Sequence, residues 1–201
     1  AIASSVGDTY AASMQPMEQL KQCVEIFKPL ADKKKILAVC GGNHEHRIYK
    51  ADGLDMTELM CAQLKIPQKY SPTTALLFVR FGRHSSGQHG RPIMYSIYVT
   101  HGSGGGRREG GKVNRLADLA SIVDADCYIH AHTHLPLVFK ESFYRVSNCT
   151  SSVALVDKLF VNTSASLNYG GYGQMYEYSP SSKRSPVITL SGEVKAARAT
   201  L

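Results

Sequence analysis

Short apolar runs that stop abruptly at histidine-bearing turns most limit how this chain can fold. The run at residues 127–129 leads straight into His130-Ala-His132-Thr-His134, which contains three of the eight histidines. In an extended segment alternate side chains share a face, so we expect these three histidines to point the same way. Neutral imidazoles in that arrangement are good ligands for Zn, Mn, Fe or Ni. A run of surface or hydrogen-bonded structural histidines is the other interpretation of this segment taken alone.

A second apolar run, predicted as a buried strand over residues 35–40, ends in Gly-Gly-Asn43-His44-Glu-His-Arg. Asn43 offers an amide oxygen to a hard metal, and His44 offers an acid or base in the physiological pH range. A zinc-protease helix is excluded, because His-Glu-x-x-His requires histidine where this chain has Ile48. A polar turn is the alternative, since Asn and Gly are common turn formers.

A third run, residues 92–100, ends in His101. Alone, a histidine at a strand end is usually a packed or capping residue. Taken together, the three runs each carry metal-binding or acid–base side chains at the carboxyl end of a predicted strand. Open α/β sheets bind ligands in the crevice at those ends. We therefore expect three loops to bring one asparagine and several histidines together around metal.

The order of predicted elements indicates a layered α/β architecture, with strand–helix alternation followed by a strand-rich part. Helices are expected over residues 16–27, 55–64 (with Asp55 as the N-cap) and 112–123. Strands are expected over residues 35–40, 75–81, 92–100, 127–129, 137–140, 159–162 and 187–190. Loops are expected over residues 82–90, 101–111 and 170–182, the last with one short helix.

Composition suits a single globular domain over residues 1–201, since 43% of the chain is hydrophobic and 19% is charged. No run approaches the length of a membrane span, and residues 1–5 lack the features of a signal peptide. The five cysteines are odd in number and widely spaced, which indicates reduced, mostly buried thiols in a cytoplasmic protein. Nothing in the composition indicates the oligomeric state.

Three ordered blocks resemble the motifs of the calcineurin-like metallophosphoesterases, and the chain is most similar to phage-type members. The blocks are Gly42-Asn43-His44-Glu45, His101-Gly102 and His132-Thr133-His134. The resemblance runs from about residue 35 to residue 136. It implies a phosphoester hydrolase with an α/β/β/α fold, in which two layered sheets are flanked by helices.

Two departures from the family pattern change what we expect. Ala131 replaces the usual Gly of the last motif, which is a small change. No Asp-x-His precedes Asn43, and Asp8 of the only Gly-Asp follows a poor candidate for a buried strand. We therefore expect Asp8 to be a turn residue, and the first two motifs to lie upstream of Ala1, so that the domain is N-terminally truncated.

The resemblance implies a two-metal mechanism, in which metals about 3.5–4 Å apart share a hydroxide that attacks phosphorus in line. By resemblance, Asn43, His101 and His132 bind one metal, and His134 binds the other. His44 contacts the phosphate and protonates the leaving oxygen. With the upstream ligands missing, we expect at most one tightly bound divalent ion (Mn, Fe, Zn or Ni) and low activity.

Several other basic residues lie near these motifs. Arg47 and either Arg107 or Arg108 are candidates for holding substrate oxygens, although a surface role is an equal alternative for each. We expect His130 to be structural or to support the ligands, and His46 to lie on a surface loop. The net charge of +7 favours phosphate-bearing partners, and a nucleic-acid or nucleotide phosphodiester is the preferred substrate. A solvated basic surface is the other interpretation of that charge.

Two rival functions remain open. Residues 106–112 match the Gly-x4-Gly-Lys pattern of a phosphate-binding loop, but Val113 stands where the Ser or Thr that binds Mg²⁺ belongs. The other rival is a non-catalytic relic that binds nucleic acid or a protein partner through its basic loops, with salt-sensitive DNA binding and no turnover.

Overall fold

A computed structural model describes residues 14–82, 92–106, 108–166, 168–169, 174 and 177–201. The chain forms two compact units, Ala1–Ala75 and Leu76–Leu201. Asp8, predicted as a turn residue, and Arg107, predicted to hold substrate oxygens, both lie outside the described residues.

The first unit packs three helices with a two-stranded parallel sheet, in which Val39 pairs with Tyr70 and Cys40 with Ser71. Its elements are α1 (Pro16–Asp32), β1 (Val39–Cys40), α2 (Glu45–Asp52), α3 (Met56–Gln63) and β2 (Tyr70–Ser71). The six-residue strand predicted at 35–40 is therefore only two residues long, because its partner β2 has only two residues. The loop expected after it contains the helix α2.

Local capping chemistry explains where two of these helices begin. The predicted N-cap Asp55 is confirmed, since its Oδ1 accepts hydrogen bonds from the backbone N–H of Thr57 at 2.9 Å and of Glu58 at 3.0 Å. Helix α1 begins at a capping box between Gln15 and Glu18. It continues to Asp32, past the predicted end at residue 27, even though a helix-interior proline removes one backbone hydrogen bond.

The second unit is built on a five-stranded mixed sheet in the order β3-β4-β5-β7-β6. Its elements, of which β3 begins just before Leu76, are β3 (Thr74–Arg80), β4 (Met94–Thr100), α4 (Glu109–Ala117), β5 (Cys127–His130), β6 (Leu137–Ser147), β7 (Ser152–Asn162), β8 (Val187–Leu190) and β9 (Ala197–Thr200). Strands β4, β5 and β7 are parallel, while β6 is antiparallel to β7. The predicted α/β class is confirmed.

Both faces of this sheet are covered. On one face, Leu116 and Leu119 pack against Tyr128 and Phe160, whose rings stack at 4.8 Å. On the other face, Leu159 and its neighbours pack against the two-stranded sheet of β8 and β9. Each fully buried side chain of this size contributes about 1.5–3 kcal/mol to folding. The sheet is therefore a rigid support for the loops at its edges.

Some predicted ends of strands and helices were wrong, because contacts with distant parts of the chain decide where these elements end. Strands β6 and β7 are 11 residues long rather than four, because they pair with each other along their whole length as a hairpin. The helix predicted to begin at residue 112 begins at Glu109, and it ends at Ala117 in a short 3-10 turn. Strand β9 was not predicted. Of the loop expected over residues 170–182, residues 170–173, 175 and 176 lie outside the described residues.

The structure also bears on the expectations of mostly buried thiols and of no membrane-spanning segment. Cys61 and Cys127 are buried, and burial raises the pKa of their thiols to about 11 and about 12. Cys149 is exposed, so the thiols are less uniformly buried than predicted. Among the described residues, the helices are all too short or too polar to cross a membrane.

Candidate functional site

The carboxyl ends of the three parallel strands of the second unit lie side by side in one row. Thr100 of β4 pairs with His130 of β5, and His130 pairs with Asn162 of β7. The chain after each of these residues therefore leaves the sheet at the same edge. The rings of His101 and His132 come together there, with centroids 5.2 Å apart and an interplanar angle of 61°. Of the three loops predicted to meet at the strand ends, the two that carry His101 and His132 do meet. For the third, which carries Asn43, the expectation stays a prediction.

The chain turns sharply immediately after β5. His132 and His134 both have left-handed backbone conformations, with φ of 61° and 57°. The N–H of Thr133 donates to the carbonyl oxygen of Ala131 at 2.6 Å, which closes a three-residue turn centred on His132. The prediction that residues 130, 132 and 134 share one face of an extended segment is therefore wrong, because the strand ends at His130.

These left-handed residues have a physical cost. Non-glycine residues rarely adopt positive φ, and strained residues of this kind, at about 1–3 kcal/mol each, cluster at functional sites. Tertiary contacts must therefore hold the turn in place, and buried polar residues beneath it supply them.

Asn162 is the residue that fastens this turn to the sheet. It is only 1% exposed, and its Nδ2 donates to the Oγ1 of Thr133 at 2.8 Å and to the carbonyl oxygen of Leu135. Because a carbonyl can only accept, the amide oxygen of Asn162 faces the other way, toward Nδ1 of His130 at 2.8 Å. His130 therefore carries its proton on Nδ1 and donates it to Asn162.

Sequence reasoning missed Asn162 as a site residue. The sequence indicated this position only as the end of the strand predicted over residues 159–162. The available signal was a polar side chain directly after the fully buried run Leu159-Phe160-Val161.

The buried ring of His130 packs against the loop that begins at His101. It is 2% exposed, and a β-carbon added to Gly102 would lie 2.1 Å from its Nε2. Gly102 has φ of 81°, a conformation that glycine adopts without strain. With Nδ1 bonded to Asn162 and Nε2 against Gly102, His130 positions two loops. Its predicted structural role is confirmed.

His134 lies at the same edge and its side chain is exposed. Partial desolvation, and then the positive charge of Lys112, lower the pKa of this imidazole. The neutral form, which is the metal-binding form, is therefore favoured at physiological pH. Its assignment as the ligand of a second metal stays a prediction.

The first unit carries the other predicted residues in the turn that leads into α2. Asn43 is exposed, and His44 is half-buried with φ of −74° and ψ of −45°. Arg47 lies in the first turn of the helix. His46 is exposed as predicted, but it belongs to α2 and stacks on Tyr49 at 5.5 Å. The roles predicted for Asn43, His44 and Arg47 stay predictions.

Metal binding needs more donors than the two imidazoles of His101 and His132. Within the described ranges, no group of three or more His, Cys, Asp or Glu side chains is arranged to hold a metal ion. The pair His101–His132 would supply two of the donors that such a site needs. The amide oxygen predicted for this role, that of Asn43, belongs to the first unit.

The edge of the sheet where β5 begins carries carboxylates that are paired with cations. Asp126 accepts hydrogen bonds from the backbone N–H of Ser96 at 2.9 Å and from Lys195 at 2.8 Å. Desolvation raises the pKa of Asp126, but these hydrogen bonds outweigh it and lower the pKa overall. Asp124 binds the buried Lys158 at 2.9 Å and Arg145 at 3.1 Å. Each cation here has a carboxylate partner, which indicates a structural network.

The phosphate-loop alternative gains no support from the fold. Helix α4 begins at Glu109, so Gly110 and Gly111 lie in its first turn. A phosphate-binding loop needs these glycines ahead of the helix, with their N–H groups turned toward the anion.

Comparison of the chain with protein-family models, with curated proteins and with solved structures gave no match. The resemblance to metallophosphoesterases therefore depends on the three sequence motifs, and the geometry within each unit is the independent observation.

Proposed function

We propose that this protein is a metal-dependent phosphoester hydrolase of the calcineurin-like type. The observation that carries the proposal is the pair His101–His132 at the carboxyl edge of the parallel strands. At metal–nitrogen distances of about 2.0–2.1 Å, two imidazoles that share a tetrahedral metal have ring centroids about 5 Å apart. The observed separation of 5.2 Å fits that requirement.

The layers of the second unit support the finer fold assignment. Helix α4 covers one face of the five-stranded sheet, and the sheet of β8 and β9 covers the other. A helix layer followed by two sheet layers corresponds to three of the four layers of the α/β/β/α fold. We propose that fold for this chain.

Each motif residue then has a role. His101 and His132 bind one metal, and by resemblance Asn43 adds an amide oxygen to it. His134 binds the second metal. When bound, such metals polarise the phosphoryl group and lower the pKa of water enough to supply a nucleophile near neutral pH.

The chain's own side chains carry out the remaining steps. His44 donates a proton to the leaving oxygen, a contribution that is typically about 10²–10⁴-fold. His130 and Asn162 keep the two ligand loops in position through the contacts described above. Arg47 and Arg107 are proposed to hold the non-bridging phosphate oxygens.

Hydrolysis of bis(p-nitrophenyl) phosphate in the presence of Mn²⁺, Ni²⁺ or Zn²⁺ tests this function. We expect metal-dependent turnover that His101→Ala and His132→Ala each abolish, along with a loss of bound metal in elemental analysis. His46→Ala, which alters an exposed histidine of α2, is the matched control and should retain both properties. Absence of turnover with every metal, or equal metal content in all three variants, would overturn the proposal.

A further inference from the structure

One face of α4 carries a row of cations, which we call the basic stripe. Arg108 at the N-cap is followed by Lys112 and Arg115 at helical spacings of four and three residues, so the three lie on the same side of the helix. Arg108 and Arg115 are exposed, and Lys112 is half-buried. Leu116, four residues after Lys112 and therefore beside the stripe, is buried and packs α4 against the sheet.

The charges of the basic stripe are not neutralised within the described part of the chain. None of the ion pairs among the described residues includes a member of the stripe. Glu109, the only acidic residue of α4, is likewise in none of them. By contrast, Lys158, Arg145 and Lys195 at the other edge of the sheet are all paired with Asp124 or Asp126. An external anion would therefore bind at the stripe and not at the opposite edge.

The basic stripe lies close to the histidine pair. The guanidinium of Arg115 rests on the backbone of Gly104, where an added β-carbon would stand 2.3 Å from its Cζ. Gly104 has φ of 96° and is the third residue after His101, so the chain places it within about 11 Å of that ligand.

We infer that the substrate is a nucleic-acid strand whose phosphodiester backbone lies along the basic stripe, an inference that rests on the proposed phosphoesterase function. From Arg108 to Arg115 the helix rises about 10 Å at 1.5 Å per residue. That length exceeds one phosphate group, so more than one backbone phosphate of a strand can lie along it. A small phosphomonoester would occupy only one of the three cations. Because the stripe consists of cations alone, it recognises the backbone without reading base sequence.

Salt-dependent binding of a dye-labelled single-stranded oligonucleotide tests this inference. Fluorescence anisotropy in EDTA, over a series of KCl concentrations, gives the slope of log affinity against log salt. We expect Lys112→Gln/Arg115→Gln to reduce that slope by about 1.4, since each lost phosphate contact contributes about 0.7. The matched control, Lys140→Gln/Arg198→Gln, removes two exposed cations from β6 and β9 and should leave the slope unchanged. Equal slopes for the two double variants would overturn the inference.

The outcomes separate this inference from the proposed function. Wild-type protein that hydrolyses bis(p-nitrophenyl) phosphate but does not bind the oligonucleotide would overturn the inference and leave the hydrolase proposal intact. Binding through the stripe without hydrolysis under any metal would overturn the hydrolase proposal and keep the stripe as a nucleic-acid surface. Binding of poly-L-glutamate in place of the oligonucleotide would assign the stripe to acidic proteins and overturn the inference.

Discussion

The imidazole of His130 lies directly against the backbone of Gly102, so close that a β-carbon at Gly102 would stand 2.1 Å from Nε2. This contact joins the end of β5 to the loop that carries His101. Because His130 is also hydrogen-bonded to Asn162, the ends of three neighbouring strands are linked through one buried ring. The position of the proposed ligands therefore depends on residues that do not bind metal.

Gly102→Ala should destabilise the second unit and weaken metal binding. The new methyl group displaces the His130 ring, and the φ of 81° is unfavourable for alanine. We expect a loss of about 1–3 kcal/mol in urea unfolding. Gly105→Ala is the matched control, because its methyl group would meet no atom of the described residues within 4 Å and its φ is not in the left-handed region. An unchanged stability for Gly102→Ala would contradict the close contact.

Asn162→Ala should lower the free energy of unfolding by more than an ordinary polar-to-alanine substitution does. It leaves the Nδ1–H of His130 and the carbonyl oxygen of Leu135 without a partner in a buried place. Each unsatisfied group costs about 1–3 kcal/mol. The unfolding free energy measures this loss, and the Hδ2 and Hε1 NMR signals of His130 should shift. A variant with wild-type stability and unchanged His130 signals would show that Asn162 does not secure the turn.

Stability should fall in acid in a way that depends on Asp126. The folded-state pKa of this carboxylate lies below its ordinary value of 3.8, so its contribution is fully present above that pH. It is lost as the pH falls through the folded pKa. We expect Asp126→Asn to be less stable than wild type at neutral pH, by about 1–3 kcal/mol, and to lose less stability below about pH 4. Urea unfolding across this range, with exposed Asp52→Asn as the control, measures both effects. Parallel pH profiles for Asp126→Asn and wild type would contradict this account.

Gly104→Ala should weaken oligonucleotide binding indirectly. Its methyl group takes the place of the Arg115 guanidinium, which must then leave the loop. The salt slope should fall by about 0.7, as it should for Arg115→Gln. The two changes combined should cause no further loss, because both remove the same contact. Additive losses in the anisotropy measurement would show that the glycine and the arginine act separately.

Local signals in the sequence predicted the features that depend on few residues. Asp55 was identified as an N-cap because its side chain bonds N–H groups two and three residues away. The strand at Val187–Leu190 was predicted with its observed bounds because it is a short apolar run. The strand ends at Thr100 and His130 were predicted to within one residue for the same reason.

Other features require residues that are far apart in the chain. Asn162 acts through His130 and Leu135, which lie 32 and 27 residues earlier. Its position after an apolar run could mark it as a candidate, but no local pattern shows which residues it binds. The turn at His132 was mistaken for extended chain because spacing alone cannot show where pairing with a neighbouring strand stops. The register of the paired strands also depends on distant segments, since packing and hydrogen bonding across the sheet set it.

By itself the sequence determined which chemistry the chain can offer, because the histidines, Asn43 and the cations of α4 are present whatever the fold. It also determined that His101 follows a strand and that the cluster at residues 130–134 begins where another strand ends, because apolar runs form strands locally. Only the tertiary structure decided that Thr100, His130 and Asn162 lie in one row, that His101 meets His132, and that His130 is buried as a support. The physical reason is that these relations come from hydrogen bonds and packing between distant segments, which exist only once the sheet has formed.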